Sequence, residues 1–291
     1  MKIAHIILIF FLCLSGILFS QQDKQKVNIK SGYLEKKREL PDAIIYTKDL
    51  YGQVYIVHEG VEMWCDQAYV YVNDNFVKAY GNVTITQGDT VNLSSKYAEY
   101  NGNTQFAFAS GDVLMKNPQS TLTTDTLYFD RIKQQAYYRS GGTVVDTSST
   151  LQSKIGRYYA ETKKYQFLSD VVITNPKYKV NSKQLDFYSE TGGAYLYGES
   201  TIIGETSTVY CERGYYDTRA DIGYFVKNSK IDYDTQILYG DSLYFDRSKS
   251  FASATNNIRI IDTANNSIIR GHYAEVYRDK DSLFITKRAV A

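Results

Sequence analysis

The sequence repeats itself about every 29 residues, and this period limits what the chain can fold into more than any other feature. An apolar anchor residue marks each unit. Six anchors follow one another at 29-residue intervals, with one more 30 residues before the first and another 31 after the last. The eight anchors are Met63, Leu93, Leu122, Leu151, Val180, Val209, Leu238 and Ile269. A unit this short cannot bury its own apolar side, so neighbouring units must stack around a shared core.

The residues after each anchor keep their chemical type from unit to unit. The second is small, the third polar, the fifth uncharged, and the seventh aromatic or valine. A further apolar segment precedes the anchor, as at residues 81–85 and 170–173. Short apolar segments between turns rich in Gly, Asn, Asp and Ser indicate two strands per unit. The sequence therefore predicts an all-β fold, an elongated stack of β-repeats of about 29 residues.

The apolar positions also predict a bend in each unit. Side chains alternate along a strand, so the anchor and the second position share one face, and the fifth and seventh positions share the other. Both sets are uncharged, so a straight strand would bury both faces. A bulge beside the polar third position would instead turn both sets inward. We favour the bend, because it would recur at one fixed point of every unit.

Composition supports β-structure and limits the function classes. The chain has 28 Tyr and 3 Pro, and Tyr favours half-buried pleated surfaces. Its 33 Lys and Arg balance 32 Asp and Glu, which argues against nucleic-acid binding through a general basic field. With 3 His and 3 Cys, few zinc ligands exist. We expect no metal, no cofactor and no nucleic-acid partner.

The N-terminus reads as a secretory signal over residues 1–20. Met1 and Lys2 give a positive start, and residues 6–19 form an apolar run shorter than the roughly 20 residues of a spanning helix. An uncleaved anchor is the alternative. Residues 21–44 are then a lead-in segment, and 45–291 the repeat domain. Its last unit is incomplete, since Ala289 and Val290 would open another strand; either the sequence is truncated or another molecule completes that edge.

Two cysteines follow the signal, Cys65 and Cys211. They occupy the same position five units apart. If each unit adds only one strand spacing of roughly 4.8 Å, the two cysteines would be at least about 24 Å apart. A disulfide needs Cα atoms within about 7 Å. We predict two free thiols that serve as small core residues.

No residue pattern predicts catalysis. The pairs Asp125/Asp130 and Asp241/Asp246 resemble the twin carboxylates of glycoside hydrolases, but residues five apart on a straight strand point to opposite faces. We expect the polar third positions to form a solvated charge ladder along adjacent units, each pair contributing roughly 0.2–1 kcal/mol. These positions are Asp66, Lys96, Asp125, Lys154, Lys183, Glu212, Asp241 and His272.

The units resemble the OstA-like lipopolysaccharide-transport family. A Gly-x-Val-x-Ile segment followed by Leu-Ser-Ser-Lys-Tyr-Ala-Glu-Tyr (93–100) or Leu-Thr-Thr-Asp-Thr-Leu-Tyr-Phe-Asp (122–130) carries the resemblance, which covers roughly residues 45–290. The family includes a periplasmic bridge protein and the N-terminal domain of the outer-membrane assembly protein. The Tyr-rich composition is similar to Bacteroidetes-type members. Eight units exceed a single bridge jellyroll, which implies a longer bridge or part of a larger protein.

The resemblance implies an open β-jellyroll whose apolar groove carries the acyl chains of lipid A. It implies a non-enzymatic protein of the periplasm, with outer-membrane association left open, that transports lipopolysaccharide. Its partners would be other jellyrolls joined by edge-strand pairing, or further copies of itself head to tail. The predicted groove lining is Leu93, Leu122, Phe129, Leu151, Val180, Phe187, Val209, Leu238 and Phe245. The alternatives are a closed structural or adhesive β-solenoid and a polysaccharide-cleaving β-helix enzyme.

Overall fold

The computed structural model describes residues 27–58, 60–88, 91–116, 118, 120–146, 149–205, 207–233, 235–280, 282–286 and 289–290. The predicted signal and the first six lead-in residues lie outside this range. The described residues form 23 β-strands and two short 3₁₀ turns, Arg247–Lys249 and Arg278–Lys280. They divide into two compact units. The N-terminal unit runs to residue 147 and includes 155–162; the C-terminal unit contains 148–154 and everything from 163 onward.

The N-terminal unit is an antiparallel arrangement in which shorter strands make up single half-units. β5 and β6 pair with the two halves of β7, and β12 and β11 pair with the two halves of β10. β7, β8, β9 and β10 follow one another as neighbours. The strands are β1 (Asn28–Lys30), β2 (Tyr33–Lys37), β3 (Leu40–Thr47), β4 (Val54–His58), β5 (Val61–Cys65), β6 (Gln67–Tyr71), β7 (Phe76–Gln87), β8 (Val91–Asn101), β9 (Phe106–Lys116), β10 (Ser120–Asp130), β11 (Gln135–Tyr138), β12 (Gly142–Asp146) and β14 (Ile155–Tyr159).

The C-terminal unit is a simple antiparallel meander. Each strand from β15 to β23 pairs with the next one in the chain, and β13 pairs with β15. The strands are β13 (Thr150–Ser153), β15 (Lys164–Thr174), β16 (Tyr178–Tyr188), β17 (Gly193–Gly204), β18 (Ser207–Asp217), β19 (Ile222–Tyr233), β20 (Gln236–Asp246), β21 (Phe251–Asp262), β22 (Ser267–Tyr277) and β23 (Ser282–Thr286). The predicted all-β fold of stacked repeats is confirmed.

A bulge interrupts the ladders beside the polar third position. Between β16 and β17, for example, the register shifts between Ser182 and Gln184, on either side of Lys183. The partner strand crosses the same point with left-handed backbone, as at Gly81 (φ 73°) and Asn82 (φ 44°). The predicted bend is confirmed, and glycine and asparagine recur before the anchors because they tolerate this conformation.

Within the described residues, the third-position side chain of six of the eight units meets a polar side chain of the next strand at the bend. Lys96 contacts Asp112 at 2.6 Å and Lys183 contacts Glu199 at 2.7 Å. Equivalent contacts, also between residues 16 apart, are Asp66 with Asn82, Lys154 with Asp170, Glu212 with Asn228, and Asp241 with Asn257. Hydrogen bonds to Asp112 and Glu199 raise the pKa of Lys96 and Lys183, and the next third positions, Asp125 and Glu212, add to this rise through their charge. The predicted charge interaction between adjacent third positions is therefore present, but the direct contacts are made with the left-handed corner of the next strand.

Both halves of a unit contribute to one core. In the N-terminal unit, Val54, Cys65 and Val83 on the anchor side of the bend cluster with Ala68 and Ala79 on its other side. In the C-terminal unit, a Cβ added to Gly271 before the bend would lie 2.6 Å from Ile285 on the other half. The small second position therefore lets the two halves approach each other.

The two thiols lie where the repeat predicts. Cys65 and Cys211 are free and buried. Burial raises the pKa of the Cys65 thiol to about 12, with the neighbouring Asp66 charge adding to the effect, and raises the pKa of Cys211 to about 11. The prediction of two unpaired core thiols is confirmed.

We expect Gly81→Ala to destabilise the chain by about 1–2 kcal/mol, because alanine is strained at positive φ. Its Cβ would also lie 2.7 Å from the Asp66 carboxylate, which Lys48 and Asn82 hold in place. Gly52→Ala is the control, since nothing lies within 4 Å of its added Cβ. Urea denaturation of both variants measures the difference. Equal stability of the two variants would show that the bend tolerates any residue.

We expect both core thiols to resist a thiol reagent at pH 8 in the folded chain beginning at residue 21, because the reactive thiolate is suppressed. In urea both should react. Since the folded pKa is raised, the thiols' contribution to stability is present below the unfolded pKa and is lost as the pH rises toward about 11 and 12. Labelling of either cysteine at pH 8 without unfolding would contradict the buried placement.

Candidate functional site

The anchors form continuous aliphatic rows across neighbouring strands. In the C-terminal unit, Val209 on β18 pairs with both Ile202 and Ile231, and Leu238 pairs with Ile231 and Ile260. The whole row in this unit is Leu151, Ile173, Val180, Ile202, Val209, Ile231, Leu238, Ile260 and Ile269. In the N-terminal unit it is Met63, Ile85, Leu93, Met115, Leu122 and Val144. We call these the anchor rows.

A second inner row runs along the half-strands after the bend. Phe187, Tyr216 and Phe245 alternate there with Ala194 and Gly223, so that large rings stand beside small residues. The rings of Tyr216 and Phe245 are 5.9 Å apart between centroids. In the N-terminal unit the equivalent row is Val70, Val77, Tyr100, Ala107, Phe129, Ala136 and Tyr158. We call these the aromatic rows.

On β18 and β20, burial decreases with distance from the bend. In the C-terminal unit, the residues next to the bend are nearly inaccessible: Cys211 and Leu243 are each 1% exposed. Farther along the same half-strands, Val209 and Phe245 are only half-buried. Two walls that meet at a sealed corner and become accessible away from it form a wedge. Val209 and Leu238 of the anchor row and Tyr216 and Phe245 of the aromatic row line its accessible part. Other members of the same rows are buried, namely Leu151, Val180, Phe187 and Ile260.

The predicted lining residues fall into two groups. Leu93, Leu122, Leu151, Val180 and Phe187 are buried. Phe129, Val209, Leu238 and Phe245 are half-buried. All nine lie on the anchor or aromatic rows, and the register joins Val209 and Leu238 through Ile231. Their contact with a lipid stays a prediction.

Sequence reasoning missed every second member of the anchor rows. These residues belong to the apolar segment that precedes each anchor, and they repeat at the same interval of about 29 residues. A search for that spacing in the preceding segments would have found them. They are Ile85, Met115, Val144, Ile173, Ile202, Ile231 and Ile260.

The polar atoms at the sealed corner are used within the fold. The Ser182 hydroxyl donates to the Gln184 carbonyl across the bulge at 2.8 Å and lies 2.8 Å from the Ser200 hydroxyl. Ser95 donates to the Tyr97 carbonyl at the corresponding point. The hydroxyls satisfy carbonyl groups that the bulge removes from the ladder. The corner is therefore polar only where the backbone requires it, and the two rows beyond it are uncharged.

In each carboxylate pair, one member lies at the bend and the other at the end of the strand. Asp125 is exposed at a bend, whereas Asp130 binds Lys133 at the far end of the strand at 2.9 Å. Five strand residues separate the two by roughly 16 Å. Asp246 is buried, and hydrogen bonds from Lys249 and Ser248 lower its pKa to about 2, while Asp241 accepts from Asn257. Asp130, Asp241 and Asp246 each have a local structural partner.

The described part of the chain contains no cluster of three or more His, Cys, Asp or Glu side chains that could hold a metal ion. Within the same residues, no helix has the length and apolar composition needed to cross a membrane.

The sequence profile of the OstA-like proteins matches residues 24–183, more than half of the chain. The chain belongs to the OstA-like family. Among solved structures, the chain is similar to LptH from Pseudomonas aeruginosa, described as the LptA-homologous periplasmic component of the lipopolysaccharide transport device. The identity is 14%, the TM-score 0.16, and the match covers 57% of this chain and 82% of LptH. No curated protein matches the sequence.

Proposed function

We propose that this OstA-like protein carries lipopolysaccharide through the periplasm, without catalysis, by holding lipid A acyl chains in the wedge between the anchor and aromatic rows. The observation that carries the proposal is the half-buried, uncharged lining of the C-terminal unit, with Val209, Ile231 and Leu238 on one wall and Tyr216 and Phe245 on the other. Membership of the OstA-like family agrees with it.

The repeat suits a carrier better than a storage site. Burying one CH₂ group stabilises a bound chain by about 0.8 kcal/mol, so a deep pocket would hold a 14-carbon chain by roughly 10 kcal/mol. A wedge that is closed only at its corner buries a smaller part of each acyl chain and therefore binds it less tightly. Neighbouring rungs have nearly the same side chains, so successive positions have similar affinity and an acyl chain can move between them.

Ile202 and Ile203 on β17 provide a matched test. Ile202 lies on the anchor row, and Ile203 is 42% exposed on the opposite face. We expect Ile202→Asp to reduce uptake of a fluorescent acyl-chain probe at least tenfold, because the lining would gain a charge that must be desolvated. We expect Ile203→Asp to leave uptake unchanged. Circular dichroism melting of both variants identifies any loss caused by unfolding.

Lipid A should displace the probe from the unmodified chain, and mass spectrometry of protein purified from the periplasm should recover an acylated glycolipid. A chain that takes up no probe and returns no lipid would instead support the closed structural solenoid. Where Ile202→Asp unfolds the chain, Ile202→Gln, which adds no charge, replaces it in the same comparison.

The proposed partners are other jellyrolls, or further copies of this chain, joined by strand addition. β23 pairs with Tyr273–Tyr277 of β22 only. The other half of β22 meets Val290 through two backbone hydrogen bonds to Arg270. The next edge-facing backbone groups, those of Ile268, meet no further strand of the described residues, and such an edge favours pairing with another chain.

We expect the chain beginning at residue 21 to form concentration-dependent dimers or longer assemblies through this edge. Analytical ultracentrifugation over a hundredfold dilution measures the effect. Ile268→Pro should reduce association, because the backbone N–H of Ile268, like that of Arg270, points to this edge and proline donates no backbone hydrogen bond; a stable fold is confirmed separately by melting. A single monomeric species at every concentration would show that the edge is closed to partners.

A further inference from the structure

Two arginines face each other on the outer side of the C-terminal unit. Arg259 on β21 is directly opposite Arg270 on β22, and Tyr239 on β20 is directly opposite Arg259 on the other side. The Arg259 guanidinium carbon lies 4.4 Å from the centre of the Tyr239 ring. Alternation from the inward Leu238, Ile260 and Ile269 places all three side chains on the outer face.

The opposed charges of Arg259 and Arg270 destabilise the folded sheet unless an anion binds them. Like charges directly opposite on neighbouring strands destabilise a sheet. Both arginines are exposed, and neither forms an ion pair with a described residue. By contrast, Lys230, which is opposite Tyr239 on β19, binds Asp232 at 2.9 Å. The two guanidiniums are therefore available to an external anion.

An apolar row lies beside the arginines on the same face. Ile237, Ile261 and Ile268 are opposite one another on β20, β21 and β22, two residues from Tyr239, Arg259 and Arg270. Ile268 is 39% exposed. We call these six residues the arginine face. Cations beside aliphatic side chains at a surface match the phosphate and acyl regions of a lipid head-group layer.

The neighbouring carboxylates are already engaged. Asp262, the last residue of β21, accepts hydrogen bonds from Asn265 and from the Ala264 amide. Asp232 binds Lys230. These acids contact their local partners rather than the guanidiniums, so the arginine face keeps a net positive charge.

We propose that the arginine face binds an anionic phospholipid surface, with Arg259 and Arg270 contacting lipid phosphates and the isoleucine row contacting the acyl boundary. Guanidiniums bind phosphate oxygens in bidentate geometry. A soluble phosphate would use the arginines alone and would leave the adjacent isoleucines without a role. The face is on the opposite side of the strands from the anchor row, so the proposal does not depend on lipid carriage in the wedge.

Vesicle co-sedimentation tests the proposal with the chain beginning at residue 21, which contains every residue described. The unmodified chain should sediment with vesicles of equal parts phosphatidylglycerol and phosphatidylcholine, and much less with phosphatidylcholine alone. Each basic residue near an anionic surface contributes a factor of about five in partitioning. Arg259→Gln with Arg270→Gln should therefore reduce binding about 25-fold. Lys96→Gln with Lys183→Gln makes the same charge change at two bends and should have a much smaller effect.

Two further measurements make the test specific. Ile268→Ser should weaken vesicle binding without changing net charge, and inorganic phosphate at constant ionic strength should not displace the chain. Removal of the opposed charges should leave the melting temperature equal or higher, which excludes unfolding as a cause. Equal vesicle binding by the arginine and lysine double variants would overturn the proposal, and so would displacement by phosphate alone. Ile202→Asp should leave vesicle binding intact, so failure of the wedge and failure of this face are distinguishable.

Discussion

The bulge at the third position is the constraint on which the rest of the structure depends. It changes the side-chain alternation of every long strand at one point, so residues that a straight strand would place on opposite faces point into one core. The left-handed residues opposite it, such as Gly81 and Asn82, allow the partner strand to turn with it. Without this feature, either the anchors or the aromatic residues would face water, and no wedge could form.

The interactions on the outer side of the bend and those inside its corner have different effects. Exposed pairs such as Lys96 with Asp112 contribute little free energy each, because water screens them. Inside the same corner, Ser182 satisfies a bulge carbonyl and the small residues let the halves approach closely. Specificity of the bend therefore comes from backbone conformation and close packing, and the charged side chains keep its outer surface soluble.

Much of this fold follows from the sequence because a repeat supplies many observations of one unit. The strands, the bend and the free state of Cys65 and Cys211 could be predicted from recurring residue types alone. The charge partners could not, since the polar column shows only which positions are polar. Their pairing depends on which strand's left-handed corner brings a side chain closest, as with Lys183 and Glu199. The burial difference between Leu151 and Leu238 is equally invisible in a column where both are leucine.

The repeat length also restricts how such a chain can change. Inserting or deleting one residue inside a strand would exchange its inner and outer faces up to the next turn. Gain or loss of 29 residues preserves both the alternation and the place of the bulge. Gene duplication can therefore add whole rungs without redesign of the existing ones, whereas small length changes are confined to the hairpin tips.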